Sequence, residues 1–128
     1  MNTRFILLLT RDARFQILLS EALCAGGAIV RVVRNVGEAL GVVCERAPLN
    51  LAVIDFDDGC HGMTLLSALN VCQPNLPVIA VTSSDVYHAA ALGYANGAAA
   101  CLAKPISAAE LRTVIERVGE PKLQLACA

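Results

Sequence analysis

Short runs of apolar residues alternate with helix-like patterns from one end of the chain to the other. The runs consist mainly of consecutive apolar residues, which is typical of strands that are covered on both faces. The predicted strands span residues 4–9, 28–33, 50–54, 78–81 and 99–102, and the predicted helices span residues 12–25, 36–47, 63–73, 85–96 and 107–118. Asp12 caps the first helix, and Ser107 forms a capping box with Glu110 in the last one. This alternation predicts an α/β fold, a five-stranded parallel sheet flanked by five helices.

Length and composition are those of one globular domain. The 128 residues are 56% hydrophobic and 16% charged, which excludes disorder. We expect the domain to span residues 1–120 and residues 121–128 to be a tail or the start of a linker, because Pro121 ends the helical pattern. A net charge of −1 argues against a nucleic-acid surface, and the apolar stretch at residues 5–9 is too short for a membrane span. The sequence therefore predicts a cytoplasmic protein that binds neither nucleic acid nor membrane.

Six cysteines are scattered along the chain without the spacing of a metal site or a redox motif. Because free cysteine is among the most buried residue types, we expect reduced, structural thiols. Cys60 and His61 lie in a predicted loop beside Asp57 and Asp58. Zn²⁺ binds residues of these types, but adjacent residues rarely share a metal or form a catalytic pair. A metal site in this loop is therefore a minor alternative to an ordinary loop.

Chemically functional side chains follow three of the predicted strands, at the point where each strand ends. Asp55 follows the third strand, Thr82 the fourth and Lys104 the fifth. Because the carboxyl ends of parallel strands meet at one edge of a sheet, we expect these side chains to converge. A carboxylate can then accept a phosphoryl group while a hydroxyl and an ammonium bind its oxygens. Taken singly, Asp55 is equally well explained as a turn cap and Thr82 as a helix cap, so the prediction rests on their convergence.

Three motifs on these strands resemble those of a known family, the receiver domain of two-component response regulators. Residues 97–105, GAAACLAKP, follow the family's Gly-Ala-x-x-x-Leu-x-Lys-Pro pattern. Residues 78–83, VIAVTS, resemble its fourth strand, and residues 51–55, LAVID, resemble the strand that ends in its phospho-acceptor. The resemblance covers residues 3–119, which is nearly the whole chain.

The resemblance implies a topology, partners and roles for individual residues. Asp55 corresponds to the phospho-acceptor, Thr82 to the switch hydroxyl and Lys104 to the lysine that binds the phosphoryl group. The implied fold is flavodoxin-like (CheY-like) with strand order 2-1-3-4-5, and the peptide bond before Pro105 is expected to be cis. The implied partner is a histidine kinase or a phosphotransfer protein, and the domain is not itself an enzyme. Contact with a partner, or with a second copy as a homodimer, would use the last helices. Helix 85–96 carries two tyrosines there, for which half-buried packing is the alternative explanation.

The sequence departs from the family pattern at the expected metal site. Typical receivers end strand one with two acidic residues that hold Mg²⁺, whereas this chain has Thr10 and Arg11 there. Mg²⁺ prefers carboxylate and water oxygens, so Asp55 and Asp57 are the remaining candidate ligands, and a guanidinium beside them would repel the ion. Asp12 lies one position after the expected acidic pair and therefore does not replace either of its members. Other positions that differ from the pattern are Asp58, Gly59, Gly62 and Cys101. The sequence therefore predicts that Mg²⁺-dependent phosphorylation is impaired.

Arg11 suggests a specific hypothesis for this departure. Because arginine is always charged and pairs well with carboxylates, it would take the place of the metal and neutralise Asp55 or Asp57. The alternative is that Arg11 points to solvent and pairs with nothing. Two functions remain open, a phosphorylatable receiver and a pseudo-receiver, which is an interaction module that acts without phosphorylation. A third, an unrelated small-ligand binder with a flavodoxin-like sheet, has no supporting feature in the sequence.

Overall fold

Strands and helices in the computed structural model follow the alternation of the sequence. The structure describes residues 4–45, 49–57, 61–83, 95, 97–104 and 106–118. The strands are β1 (Phe5–Leu9), β2 (Ile29–Val33), β3 (Leu51–Asp55), β4 (Val78–Thr82) and β5 (Ala100–Ala103). The helices within the described residues are α1 (Ala13–Ala25), α2 (Val36–Cys44), α3 (Gly62–Cys72) and α4 (Ala108–Val118). Apart from residue 95, the helix predicted at 85–96 lies outside these residues, as do Pro105 and the tail at 121–128.

The five strands form one parallel sheet with the order β2-β1-β3-β4-β5. The predicted flavodoxin-like topology is therefore confirmed. The strand order reverses beside β1, which pairs with β2 on one side and β3 on the other, so that Leu9 lies opposite both Val33 and Ile54. In sheets of this kind, ligands bind beyond the carboxyl ends of the strands at such a reversal.

The central strands contribute side chains to two separate cores, one on each face of the sheet. In β1, Leu7 and Leu9 pack into one core and Ile6 and Leu8 into the other, because successive side chains of a strand point to opposite faces. The first core includes side chains of α2 and α3, and the second includes side chains of α1 and α4. Burial on both faces explains why β1, β3 and β4 are continuous apolar runs in the sequence.

Strand β2 differs from the expectation of a strand that is covered on both faces. It lies at the edge of the sheet, and Ile29 and Arg31 are exposed, whereas Val33 is buried. Arg31 forms a 3.3 Å ion pair with Glu45, the residue that follows α2. A charged side chain on an edge strand disfavours pairing with another sheet.

Both predicted N-cap residues cap their helices, and Ser107 does so through one of the two hydrogen bonds of the predicted capping box. The Asp12 carboxylate accepts hydrogen bonds from the backbone N–H groups of Arg14 (3.0 Å) and Phe15 (3.3 Å), which satisfies two free donors at the start of α1. The Ser107 hydroxyl oxygen accepts the N–H of Glu110 at 3.1 Å at the start of α4. No helix among the described residues has the length and apolar character that crossing a bilayer requires.

The cysteines are less buried than their residue type led us to expect. Cys24, Cys44 and Cys72 are exposed, and only Cys101 is half-buried, against the core beneath α2 and α3. The three exposed thiols lie in the last turns of α1, α2 and α3, where the helices end beyond the apolar stripe that faces the sheet. All four described cysteines are reduced thiols. Burial raises the pKa of Cys101.

Candidate functional site at the carboxyl edge of the sheet

Polar side chains from neighbouring strand ends meet at one edge of the sheet, as the sequence predicts. Asp55 is the last residue of β3 and lies opposite Val81, and Thr82 ends β4 opposite Ala103. The backbone N–H of Lys104 donates to the Thr82 carbonyl at 2.9 Å, which extends the strand pairing by one residue. The sheet register therefore brings Asp55, Thr82 and Lys104 to the same edge.

Asp55 is almost inaccessible to solvent, with 2% of its surface exposed. Its Oδ2 accepts hydrogen bonds from the Thr10 hydroxyl at 2.7 Å and from the Lys104 ammonium at 2.8 Å. Its Oδ1 accepts the backbone N–H of Asp57 at 2.9 Å. These donors replace the water that a buried carboxylate loses.

Thr10 supplies a hydroxyl at the position where the resemblance leads us to expect an acid. It is buried, and its hydroxyl donates to Asp55 and accepts the backbone N–H of Asp12 at 3.0 Å. Its own backbone N–H donates to the Val33 carbonyl at 3.1 Å. An ionised carboxylate in its place could not donate to Asp55 and would repel it. Thr10 therefore stabilises the Asp55 carboxylate with a neutral hydrogen-bond donor.

The Lys104 ammonium lies among three carboxylates. Its Nζ is 2.8 Å from Asp55 Oδ2, 3.2 Å from Asp57 Oδ2 and 3.4 Å from Asp12 Oδ2, and it lies 5.0 Å from the centre of the Phe15 ring. Burial by itself lowers the pKa of Lys104. The hydrogen bonds and charges of Asp55, and then of Asp57, outweigh that effect and raise the pKa above its ordinary value. Lys104 is therefore a fixed positive charge at the centre of the site.

Asp57 has a role that the sequence did not predict. Its Oδ1 accepts the Thr82 hydroxyl at 3.1 Å and the Ser83 backbone N–H at 3.2 Å. Its Oδ2 accepts the same N–H at 3.0 Å and faces Lys104 at 3.2 Å. Burial acts to raise the pKa of Asp57, but the hydrogen bonds from Ser83 and Lys104 hold it below its ordinary value. Asp57 is therefore an ionised carboxylate directed toward the ends of β4 and β5.

Arg11 does not occupy the position that the sequence hypothesis gave it. It is exposed, and it forms no ion pair with an acidic side chain in the described part of the chain. The solvent-facing alternative is the one that the structure supports. Asp12 instead belongs to the site, because its Oδ2 faces Lys104 while its Oδ1 caps α1. The backbone N–H of Phe15 is the main cause that lowers the pKa of Asp12; partial burial opposes it and Lys104 adds to it.

The oxygen atoms that this site offers as metal ligands fit Mg²⁺ poorly. Mg²⁺ needs oxygen ligands in near-octahedral geometry, usually one or two carboxylates with water and phosphate. The candidate ligands Asp55 and Asp57 already have all four carboxylate oxygens in contact with hydrogen-bond donors or with Lys104. Asp12, Asp55 and Asp57 surround the Lys104 ammonium, and within the described ranges no group of acidic, histidine or cysteine side chains is arranged so that it could hold a metal ion. The positive charge among these carboxylates is that of Lys104.

Helix α3 approaches the site through a close contact at Gly62. His61, just before it, has a left-handed backbone with φ of 54°, and Gly62 is the first residue of α3. A Cβ on Gly62 would lie 2.8 Å from the Asp55 carbonyl oxygen and 2.5 Å from the Phe56 ring, so glycine permits this approach. Residues 58–60 lie outside the described residues, and the alternative of a metal site in this loop is therefore untested.

Comparisons with known proteins agree with this geometry. The model of the response regulator receiver domain family matches residues 6–116. The DNA-binding transcriptional regulator NtrC of Salmonella typhimurium is 29% identical over 106 residues, which are 83% of this chain and 23% of NtrC. A crystal structure of NtrX from Brucella abortus, 25% identical, superposes with a TM-score of 0.86 over 98% of this chain and 29% of NtrX. This chain therefore spans less than a third of either protein.

A single-domain structure shows the same fold over nearly its full length. The response regulator receiver domain protein (CheY-like) from Methanospirillum hungatei superposes with a TM-score of 0.81. It is 24% identical, and the match covers 91% of this chain and 93% of that one.

Proposed function

This chain belongs to the response regulator receiver domain family, and on that premise we propose that it is the receiver module of a two-component phosphorelay, with Asp55 as the phosphoryl acceptor. The convergence of Asp55, Thr82 and Lys104 at one sheet edge is the observation that carries this proposal. The proposed partner is a histidine kinase or a phosphotransfer protein in the cytoplasm. The domain receives the phosphoryl group and carries the signal, and it does not turn over a substrate as an enzyme does.

The proposed chemistry is a phosphoryl transfer to a carboxylate. An oxygen of Asp55 forms a bond to phosphorus while the phosphorus–nitrogen bond of the donor's phosphohistidine breaks. The departing imidazole nitrogen keeps the electron pair and takes a proton from water, and Asp55 becomes an acyl phosphate. In this proposal the Thr82 hydroxyl and the Lys104 ammonium donate to the phosphoryl oxygens, which their position at the same strand ends as Asp55 supports.

We also propose that Mg²⁺ contributes less to this reaction than it does in receivers that have the acidic pair. Thr10 and Arg11 offer no carboxylate, and the oxygens of Asp55 and Asp57 already have donors. Lys104 supplies positive charge beside the acceptor, although a single ammonium neutralises less charge than a divalent ion does.

Phosphoramidate, a small phosphoryl donor, tests the proposal without knowledge of the kinase. The wild-type chain is incubated with phosphoramidate, with and without Mg²⁺, and its intact mass is followed over time. We expect slow addition of one phosphoryl group, weak dependence on Mg²⁺, and no addition to Asp55→Asn. Unchanged labelling of Asp55→Asn would show that another residue is the acceptor.

A pseudo-receiver is the second candidate, and the contacts of Asp57 favour it. Asp57 engages the Thr82 hydroxyl and Lys104 without any phosphoryl group. If the wild-type chain takes up no phosphoryl group from phosphoramidate or from any purified histidine kinase of its own cell, the domain acts as an interaction module. Dimerisation through the last helices stays a prediction, because most of the helix predicted at 85–96 lies outside the described residues.

A further inference from the structure

Asp57 contacts three different kinds of hydrogen-bond donor at once. Its carboxylate accepts the Thr82 hydroxyl at 3.1 Å and the Ser83 backbone N–H at 3.0 Å, and it faces the Lys104 ammonium at 3.2 Å. The hydroxyl and the N–H come from the end of β4, and the ammonium comes from the end of β5. A hydroxyl, a backbone N–H and an ammonium that converge form a typical binding arrangement for the oxygens of an anion.

The backbone explains how Asp57 reaches these donors. Its N–H donates to Asp55 Oδ1 at 2.9 Å, which closes a tight turn two residues after the carboxylate that ends β3. This turn places the Asp57 side chain beside Asp55, and both carboxylates contact the same Lys104 nitrogen. The Asp57 carboxylate therefore shares the Lys104 ammonium with the side chain that would carry a phosphoryl group.

We propose that Asp57 is a built-in substitute for the phosphoryl group. Its carboxylate occupies the donors of Thr82, Ser83 and Lys104, holds them in an anion-bound arrangement, and excludes a phosphoryl anion that arrives on Asp55. The inference rests on the proposed function in one respect, which is that the anion excluded by Asp57 is a phosphoryl group on Asp55. It makes Asp57 a positioning residue that sets the resting state of the domain. It also gives a reason to expect slow phosphorylation that is separate from the loss of the acidic pair.

Beryllofluoride, which mimics a phosphoryl group on a carboxylate, tests this proposal by NMR. Wild-type chain, Asp57→Ala and Asp12→Asn are each titrated at one fixed Mg²⁺ concentration, and the Ser83 amide signal is followed. Asp12→Asn is the matched control, since it removes one negative charge from beside Lys104, retains a side chain able to cap α1, and touches neither Thr82 nor Ser83.

We expect Asp57→Ala to bind beryllofluoride at least about tenfold more tightly than the wild type, because the donors become available. In the absence of beryllofluoride, the Ser83 amide signal of Asp57→Ala should differ from that of the wild type, and saturation should return it toward the wild-type position. Asp12→Asn also removes a negative charge from beside Lys104, but it should gain much less affinity than Asp57→Ala, because Thr82 and Ser83 keep their carboxylate partner. Asp57→Asn, which keeps the side-chain size, should give an intermediate affinity and serves if Asp57→Ala folds poorly.

Two results would overturn the inference. One is equal beryllofluoride affinity in the wild type and Asp57→Ala, including the absence of binding in both. The other is an equal gain in Asp12→Asn, which would assign the effect to net charge. The proposed function is tested separately, by whether phosphoramidate labels the wild type and not Asp55→Asn. That result concerns the acceptor residue and does not depend on the role of Asp57.

Discussion

Lys104→Met is the perturbation that most directly tests the physical account of the site. Methionine keeps an apolar side chain of similar length beside Phe15 and removes the charge from among Asp55, Asp57 and Asp12. The first two carboxylates are 2% and 9% exposed, whereas Asp12 is 36% exposed. Removal of one partner from a buried ion pair costs about 3–5 kcal/mol, and an exposed pair contributes about 0–1 kcal/mol. Because Asp55 and Asp57 keep other donors, we expect a loss of about 3 kcal/mol near neutral pH.

The loss should depend on pH. In the wild type, the pKa values of Asp12 and Asp57 lie below the ordinary value of 3.8, so their stabilising contribution is present above that value and is lost as the pH falls through their folded pKa values. The raised pKa of Lys104 gives a contribution that is present below its ordinary value of 10.5 and is lost as the pH rises through its folded pKa. Without Lys104, the pKa values of Asp12 and Asp57 rise, so the variant gains protons at higher pH than the wild type. The difference in stability between the two should therefore shrink as the pH falls from 7 toward about 4.

Urea unfolding followed by circular dichroism, at several pH values, measures this difference. Arg31→Met is the control, because it breaks the 3.3 Å pair with Glu45 in which both side chains are about half exposed. It should cost less than about 1 kcal/mol. A Lys104→Met loss no larger than that of Arg31→Met, or a loss that does not change with pH, would refute the argument that Lys104 neutralises buried carboxylates.

Three further perturbations test other parts of the account. Gly62→Ala should destabilise the fold by about 1–3 kcal/mol, because its Cβ would clash with the end of β3. Gly41→Ala has open space around it and should be neutral or stabilising by up to about 1 kcal/mol. Equal shifts of the urea midpoint in the two variants would contradict this. Arg11→Asp should increase Mg²⁺ affinity in calorimetric titration, since it places a carboxylate at the end of β1, and unchanged affinity would count against the metal argument. At about pH 8, Cys101 should react with iodoacetamide more slowly than Cys24, because burial covers the Cys101 thiol and raises its pKa. Similar rates of labelling for the two cysteines, measured by peptide mass spectrometry, would be inconsistent with the burial of Cys101.

The sequence by itself determined the features that depend on near neighbours in the chain. Continuous apolar runs predict strands that are buried on both faces, and the central strands follow this rule because residues two apart share a face. The cap at Asp12 involves donors two and three residues away, so the local pattern predicts it correctly. The placement of Asp55, Thr82 and Lys104 also follows from local order, since each residue ends or follows a strand of a parallel sheet.

Only the tertiary structure decided which charged groups meet. Asp57 reaches Thr82 across 25 residues of sequence, and Lys104 reaches Asp12 across 92. Such contacts require the side chains to be positioned to within a few ångströms, and this positioning depends on strand register and on the turn that follows β3. The periodicity of the sequence does not predict it. The sequence allowed both Arg11 and Lys104 near the carboxylates, and only the structure shows that Lys104 contacts Asp55, Asp57 and Asp12 while Arg11 is exposed. The direction of the Asp57 carboxylate was also decided by the tertiary structure. The Asp57 N–H donates to Asp55 at the end of β3, and this turn directs the Asp57 side chain toward Thr82 and Ser83 at the end of the neighbouring strand β4.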